Sequence, residues 1–298
     1  MGKYDLGIDI GGTFIKYALV DKNYDIALKW NVPTEKFKTK DQLYDYIYSN
    51  SRELEAVCNI GISAPGLIDA DSNVKSYAAP NLRIMYGTNI NHEISKRSGK
   101  KVATINDAKA AGLCELKMGN AKGTDSSAFL IIGTGTGGCI CNREGVIYGK
   151  DSFAGEFHHL PFIDLRDNSI KRQGDYCSMI ALLQIYNSKT WEKESLKYGR
   201  EIIKKYLKGH AIAQEAVEEW TDNITVQIIT LAVFYNPEVI CIGGGISEEE
   251  WFLDILREKF QNTMVEYFEE TKPITTEIKR CKYNNDANIL GAILNTKF

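Results

Sequence analysis

The sequence predicts an α/β protein. Strand-type apolar runs alternate with amphipathic helical segments along most of the chain. Two of those runs end in glycine- and threonine-rich turns, Gly11-Gly12-Thr13 and Gly133-Thr134-Gly135-Thr136-Gly137-Gly138. No linker or low-complexity stretch separates the halves.

The elements follow in order. Residues 4–10 and 14–20 read as two strands joined at Gly11-Gly12, with a third over 24–30. Residues 41–54 have helical spacing, with Leu43, Tyr44, Ile47 and Tyr48 on one face. A strand over 57–62 ends at Ser63-Ala64-Pro65-Gly66. A short helix spans 90–97, a strand 102–105, and a helix opened by Asn106 spans 107–117. Strands at 127–132 and 139–141 flank the second glycine turn. A long amphipathic helix, 211–235, stops before Pro237, because the residue preceding proline disfavours helix. A strand over 239–242 ends in Gly243-Gly244-Gly245, followed by a helix at 248–268, a strand at 274–279 and a helix at 287–294.

Composition excludes several classes. The formal charge of −3 offers no basic surface for nucleic acid or for anionic membrane. No apolar run approaches the roughly 20 residues of a spanning helix. The N-terminus runs straight into a strand, so a cytoplasmic protein is expected. The seven cysteines are scattered, odd in number and mostly inside apolar runs, which reads as buried reduced thiols. Cys139 and Cys141 share a strand face, but no second pair at zinc-finger spacing follows.

The glycine turns carry the chemistry. A glycine tip lets backbone N–H groups approach an anion closely, and threonine hydroxyls add donors. Two such tips imply two lobes closing on one polyphosphate, hence a nucleotide-using enzyme. The Gly243–Gly245 turn would offer a flat surface to a purine and ribose; alone it could be a tight strand-to-helix turn. The pattern Asn-Asp-Ala-x-x-x-Gly occurs at 106–112 and again at 285–291. This is what equivalent helices in two lobes across a hinge would show, or a chance recurrence of a good cap before alanine.

Taken together, Asp9-x-Gly11-Gly12-Thr13 with Lys16, the Gly133–Gly138 turn, Asn106-Asp107-Ala108, Glu156-x-x-His159 and Gly243–Gly245 resemble the ROK family, named for repressors, open reading frames and kinases. The resemblance spans nearly the whole chain. It implies the actin-like ATPase fold, a duplicated ribonuclease-H-like architecture of two lobes with a central cleft. The lobes would be 1–107 plus 285–298, and 108–284. It implies ATP- and Mg²⁺-dependent phosphorylation of a sugar hydroxyl, O6 of a hexose or β-glucoside, and by analogy a homodimer. N-acetylmannosamine kinase, or a non-catalytic sugar-binding regulator, is the alternative. Repressor members carry a winged helix-turn-helix before the first glycine motif; eight residues precede Asp9 here, which favours the kinase branch.

The resemblance places the general base at Asp107, at a strand-to-helix joint. Phosphoryl transfer needs one carboxylate to accept the hydroxyl proton, although an aspartate there is also an ordinary helix cap. Asp9 would hold Mg²⁺ through water. Lys16 reads either as a phosphate contact or as an exposed strand residue; Thr134 and Thr136 are better placed for phosphate. Asn81, Asn106, Glu156 and His159 would bind the sugar, with Asp107. His158 stands where the family's Glu-x-Gly-His has glycine. Many members follow that His with Cys-x-Cys-Gly-x-x-Gly-Cys-x-Glu, which binds zinc and touches the sugar. Here residues 160–178 hold only Cys177, in Gly174-Asp175-Tyr176-Cys177, so no zinc site is expected. Cys177 falls near the place of the sugar-binding Glu, so a substituted anomeric oxygen could be admitted.

Overall fold

The structure is a computed structural model that describes residues 2–297 except 78, 165–166, 192–194 and 270. In chain order the elements are β1 (Tyr4–Ile10), β2 (Phe14–Val20), β3 (Ile26–Pro33), α1 (Lys40–Ser49), β4 (Val57–Ala64), α2 (Ile90–Ser98), β5 (Lys101–Asn106), α3 (Asp107–Met118), β6 (Ser126–Ile132), β7 (Thr136–Asn142), β8 (Pro161–Asp164), β9 (Ser169–Arg172), α4 (Gly174–Cys177), α5 (Met179–Ser188), α6 (Gly199–Tyr206), α7 (Ala211–Phe234), β10 (Val239–Gly243), α8 (Glu250–Phe268), β11 (Glu277–Arg280) and α9 (Ala287–Asn295).

The chain forms two compact units. The first comprises residues 1–118, 148–154 and 285–298; the second comprises 119–147 and 155–284. In the first, five strands run in the order β3-β2-β1-β4-β5. The β1–β2 and β2–β3 pairs are antiparallel, while β4 lies parallel to both β1 and β5. Strand alternation divides the faces. Leu6, Ile8, Ile10, Ile60 and Ile62 join Leu43, Tyr44, Ile47, Ile90 and Ile94 in one core, so α1 and α2 cover that face. The opposite face carries Gly7 and Gly61. A Cβ on Gly61 would overlap the Ala292 backbone, so α9 lies flat against the sheet there. Helix α3 packs on α9 in turn, at Gly291, where a Cβ would fall inside the Ala110 carbonyl. The two Asn-Asp-Ala helices therefore belong to the same compact unit. Their small residues serve the close approach of one helix to the other.

In the second unit four strands run β11-β10-β6-β7, with β6–β7 antiparallel and the rest parallel. The core gathers around Trp220 of α7, fully buried and stacked on Phe252 of α8 at 5.2 Å. Its indole N–H donates to the Cys177 and Ser178 carbonyls, each at 3.0 Å, which locks the end of α4 onto α7. The ribbon β8–β9 and helices α4 to α6 were not legible as elements in the sequence. Helix α5 begins at a serine cap, Ser178, whose Oγ accepts from the Ala181 N–H at 3.1 Å. The expected helix at 248 begins instead at Glu250, after a 3₁₀ turn over Gly245–Glu248. The strand expected from 274 begins at Glu277, where pairing to β10 starts.

Candidate active site

Within the first unit, Asp9 is the last but one residue of β1, on the face that meets α9. It is 5% exposed. Its Oδ1 accepts from Ser63 Oγ at 2.9 Å and from Asn288 Nδ2 at 3.2 Å, while Lys16 Nζ lies 3.4 Å from Oδ2. A buried carboxylate needs such partners, since desolvation otherwise disfavours its charge. Gly11-Gly12-Thr13 turns the chain into β2. The Gly11 N–H donates to the Phe14 carbonyl at 3.1 Å, and Gly12 and Thr13 are exposed. Thr34 Oγ1 donates to the Gly11 carbonyl at 2.6 Å. Asn81 sits on a 3₁₀ turn, Pro80–Met85, and donates to the Gly12 carbonyl at 2.6 Å. The residue expected for sugar and the first glycine turn are thus tied together.

Asn106 and Asp107 stand at the β5–α3 joint. Asn106 is 6% exposed and fully engaged: Nδ2 donates to the Gly66 carbonyl at 2.9 Å and to Asp107 Oδ1 at 3.0 Å, and Oδ1 accepts from the Lys109 N–H at 3.1 Å. It caps α3 and holds the neighbouring carboxylate. Asp107 is half-buried, and its Oδ1 also accepts from the Ala108 N–H at 2.8 Å. Its orientation is therefore set by backbone and by a buried amide.

The second unit brings the other two glycine turns side by side. Gly243 pairs with Ile131 across β10 and β6. Gly244 has φ 91°, and a Cβ there would fall inside the Ile132 carbonyl, so it must be glycine on both counts. Gly135 and Gly245 face open space. The Gly133 carbonyl accepts from the Met179 N–H at 2.9 Å, fastening the turn to α5. Gly137 and Gly138 lie in β7 rather than at the tip, and Gly138 is buried beneath Phe157.

Phe157–His159 forms a 3₁₀ turn preceded by Glu156, whose carbonyl accepts from the His159 N–H at 3.0 Å. His158, at the family's glycine position, is absent from the left-handed residues, so the imidazole costs no backbone strain. His159 is exposed, and its ring meets that of His158 edge-on at 5.1 Å. A cluster around His158 escaped the sequence reading: Nδ1 is 3.4 Å from Thr136 Oγ1, and Nε2 is 3.5 Å from Asp175 Oδ1. Only the departure from glycine at 158 signalled it. Burial holds the His158 imidazole below its ordinary pKa, against the attraction of Asp175. Cys177 is fully buried; its thiol donates to the Asn223 carbonyl at 3.4 Å and burial pushes its pKa up to about 12. Of residues 160–178, Leu165 and Arg166 lie outside the described residues. No helix among the described residues is long and apolar enough to cross a membrane.

With this geometry in view, comparison with known proteins is direct. The ROK family model matches residues 5–297. The glucokinase of Thermotoga maritima is 27% identical, over 96% of this chain and 95% of its own. The β-glucoside kinase of Listeria monocytogenes is 26% identical, over 96% and 94%. A ROK family glucokinase from Streptomyces griseus, solved in complex with glucose and AMPPNP, has a TM-score of 0.79 at 25% identity, covering 97% of each chain. The chain belongs to the ROK family, and its fold is the actin-like ATPase fold. These relatives are carbohydrate kinases of similar length.

Proposed function

We propose that this ATP-dependent carbohydrate kinase transfers the γ-phosphoryl group of ATP to O6 of a hexose or a β-glucoside, with Asp107 as general base. The observation that carries the reading is the held carboxylate of Asp107, fixed by the Ala108 N–H and by the buried amide of Asn106. A base on rigid elements needs no reorganisation when the hydroxyl arrives. Asp107 accepts the proton of the attacking hydroxyl as the new phosphate–oxygen bond forms and ADP leaves. Asn106 orients Asp107. Asn81, Glu156 and His159 bind sugar hydroxyls.

The turns supply phosphate donors: the exposed Gly12-Thr13 step of the turn that Gly11 opens, the Gly133–Thr136 tip with the Thr134 and Thr136 hydroxyls, and Lys16. The open face at Gly245, with Gly243 and Gly244 packed beneath, suits adenosine. The donor set at Asp9 fits Mg²⁺, which keeps several waters and is held through one or two carboxylates: Asp9 is ionisable, buried and oriented by Ser63 and Asn288. Mg²⁺ bound there supplies neutralisation of phosphate charge. The buried thiol of Cys177, at the place of the family's sugar-binding Glu, supports an acceptor list that includes sugars substituted at the anomeric oxygen.

The test is sugar-dependent ADP release with Mg-ATP on glucose, mannose, N-acetylmannosamine, N-acetylglucosamine, cellobiose and an aryl β-glucoside, with product mapping by NMR. Turnover on a hexose or glucoside with phosphate on O6 is expected. No turnover on any of them, with nucleotide still bound, would mean a sugar-binding regulator.

A further inference from the structure

His158 joins two turns of the second unit. Its Nδ1 faces the Thr136 hydroxyl at 3.4 Å and its Nε2 faces Asp175 at 3.5 Å. Arg172 in turn donates to both Asp175 oxygens, at 3.1 and 3.3 Å. Gly174 makes the room: a Cβ there would overlap both the imidazole and the Thr136 hydroxyl. The turn is pinned from within the core by Gln227, which donates to the Phe157 carbonyl at 2.8 Å. The imidazole is therefore held between β7 and α4, in contact with a hydroxyl at the edge of a phosphate-type turn.

The proton count on this ring decides where the Thr136 hydrogen points. A neutral imidazole carries one hydrogen. With that hydrogen on Nε2, toward Asp175, Nδ1 is an acceptor and takes the hydroxyl hydrogen of Thr136. An imidazolium donates from both nitrogens. Nδ1–H then donates to Thr136 Oγ1, and the hydroxyl hydrogen is released toward a ligand.

We propose that His158 is a positioning residue for nucleotide phosphate: it directs the Thr136 hydroxyl, and phosphate binding at the Gly133–Thr136 turn is coupled to uptake of one solvent proton by His158. The inference rests on the reading of this turn as a phosphate site. Burial, Arg172 and the neighbouring His159 favour the neutral ring, while Asp175 and Glu156 favour the charged one. With burial the largest influence, the free protein's imidazole titrates below the ordinary histidine value. A phosphate anion adds an opposite charge and raises that value in the complex. The affinity gain is therefore fully present below the free-state pKa and lost as pH rises through the bound-state pKa.

The test is calorimetric titration with a magnesium-bound non-hydrolysable ATP analogue, in two buffers of different ionisation enthalpy, at pH 6.5 and 8.5. Wild type, H158Q, H158G, T136V and H158Q/T136V are compared. Protonation of the analogue itself is common to all of them and cancels. Wild type is expected to take up more proton at pH 6.5 than H158Q or H158G. Each single variant is expected to bind about threefold to tenfold more weakly, the scale of one lost hydrogen bond, with the double variant no weaker than either. Wild-type affinity and proton uptake in both His158 variants would overturn the inference and leave the kinase reading intact, as would additive losses in the double variant. Failure of wild type to bind the analogue at all would overturn the kinase reading with it.

Discussion

Lys16 stands directly across the β1–β2 hairpin from Asp9, with its ammonium 3.4 Å from a carboxylate that is almost fully buried. The lysine side chain is 34% exposed, so water competes for its charge. Lys16→Met is expected to change the unfolding free energy by less than about 1 kcal/mol, as for other pairs open to solvent. Asp9→Asn keeps the shape and the hydrogen-bonding room but removes the charge. The Mg²⁺ concentration for half-maximal activity is expected to rise at least about tenfold in Asp9→Asn, a loss of about 1.4 kcal/mol at the metal. A magnesium titration of both variants, beside urea denaturation, separates the two effects; an unchanged magnesium requirement in Asp9→Asn would remove Asp9 from the metal.

Asp107→Asn preserves the size and most hydrogen bonds of a group held by Ala108 and Asn106. Removing a positioned general base costs about 10²–10⁴ in rate. Turnover is expected to fall by at least that range, while the dissociation constant for the ATP analogue stays within about twofold of wild type. Stopped assays and calorimetry on one preparation check both halves, and retained turnover refutes the assignment.

Gly291→Ala sets two effects against each other. Alanine favours helix by about 1 kcal/mol over glycine. Against this, the new methyl would fall inside the Ala110 carbonyl, backbone that α3 cannot withdraw without moving as a whole. Overpacking of this kind costs about 1–3 kcal/mol, so a net loss of stability is expected. A lower urea midpoint with unchanged slope is the expected result; a gain in stability would show that α3 and α9 separate easily.

Thiol chemistry distinguishes one cysteine from six. Cys58 is exposed and the other six are buried. The thiolate is the reactive species, and burial that lifts Cys177 to about 12 leaves almost none of it ionised at pH 8. Native protein at pH 8 is expected to take one equivalent of iodoacetamide, at Cys58, and six more only after denaturation. Peptide mapping that found Cys177 alkylated in native protein would contradict its place in the core.

Much of this was legible beforehand, for identifiable reasons. Strands β1, β2, β4, β5, β6 and β10 and helices α3, α7 and α9 have long apolar patterns with clear stops, and local chemistry settles them. Asn106 was recognisable as a cap because capping is decided within four residues. The stretch from 150 to 206 was not legible. Its strands are four residues long, and its helices are ordered by contacts with α7, such as the Trp220 indole, which no local pattern encodes.

At the site the division is similar. The glycine turns announced themselves, because bare backbone at the end of an apolar run has few other uses. Which glycines open outward and which serve packing was hidden: Gly135 and Gly245 face open space, whereas Gly138 and Gly244 make room for Phe157 and for the Ile132 carbonyl. Nothing local in Gly174-Asp175-Tyr176-Cys177 showed that the Cys177 thiol turns into the core toward the Asn223 carbonyl, where α4 is fastened to α7 by the Trp220 indole.

The sequence by itself determined the α/β class, the family, the glycine turns and the Asn106 cap of α3, since each depends on spacing within a few residues or on motifs in a fixed order. The tertiary structure alone decided that Asn81 fastens to the Gly12 carbonyl, that α3 and α9 pack together, and that His158 lies between Thr136 and Asp175. Asn81 and Gly12 are 69 positions apart along the chain and His158 and Thr136 are 22 apart, and only the packing of whole elements can bring such residues into contact.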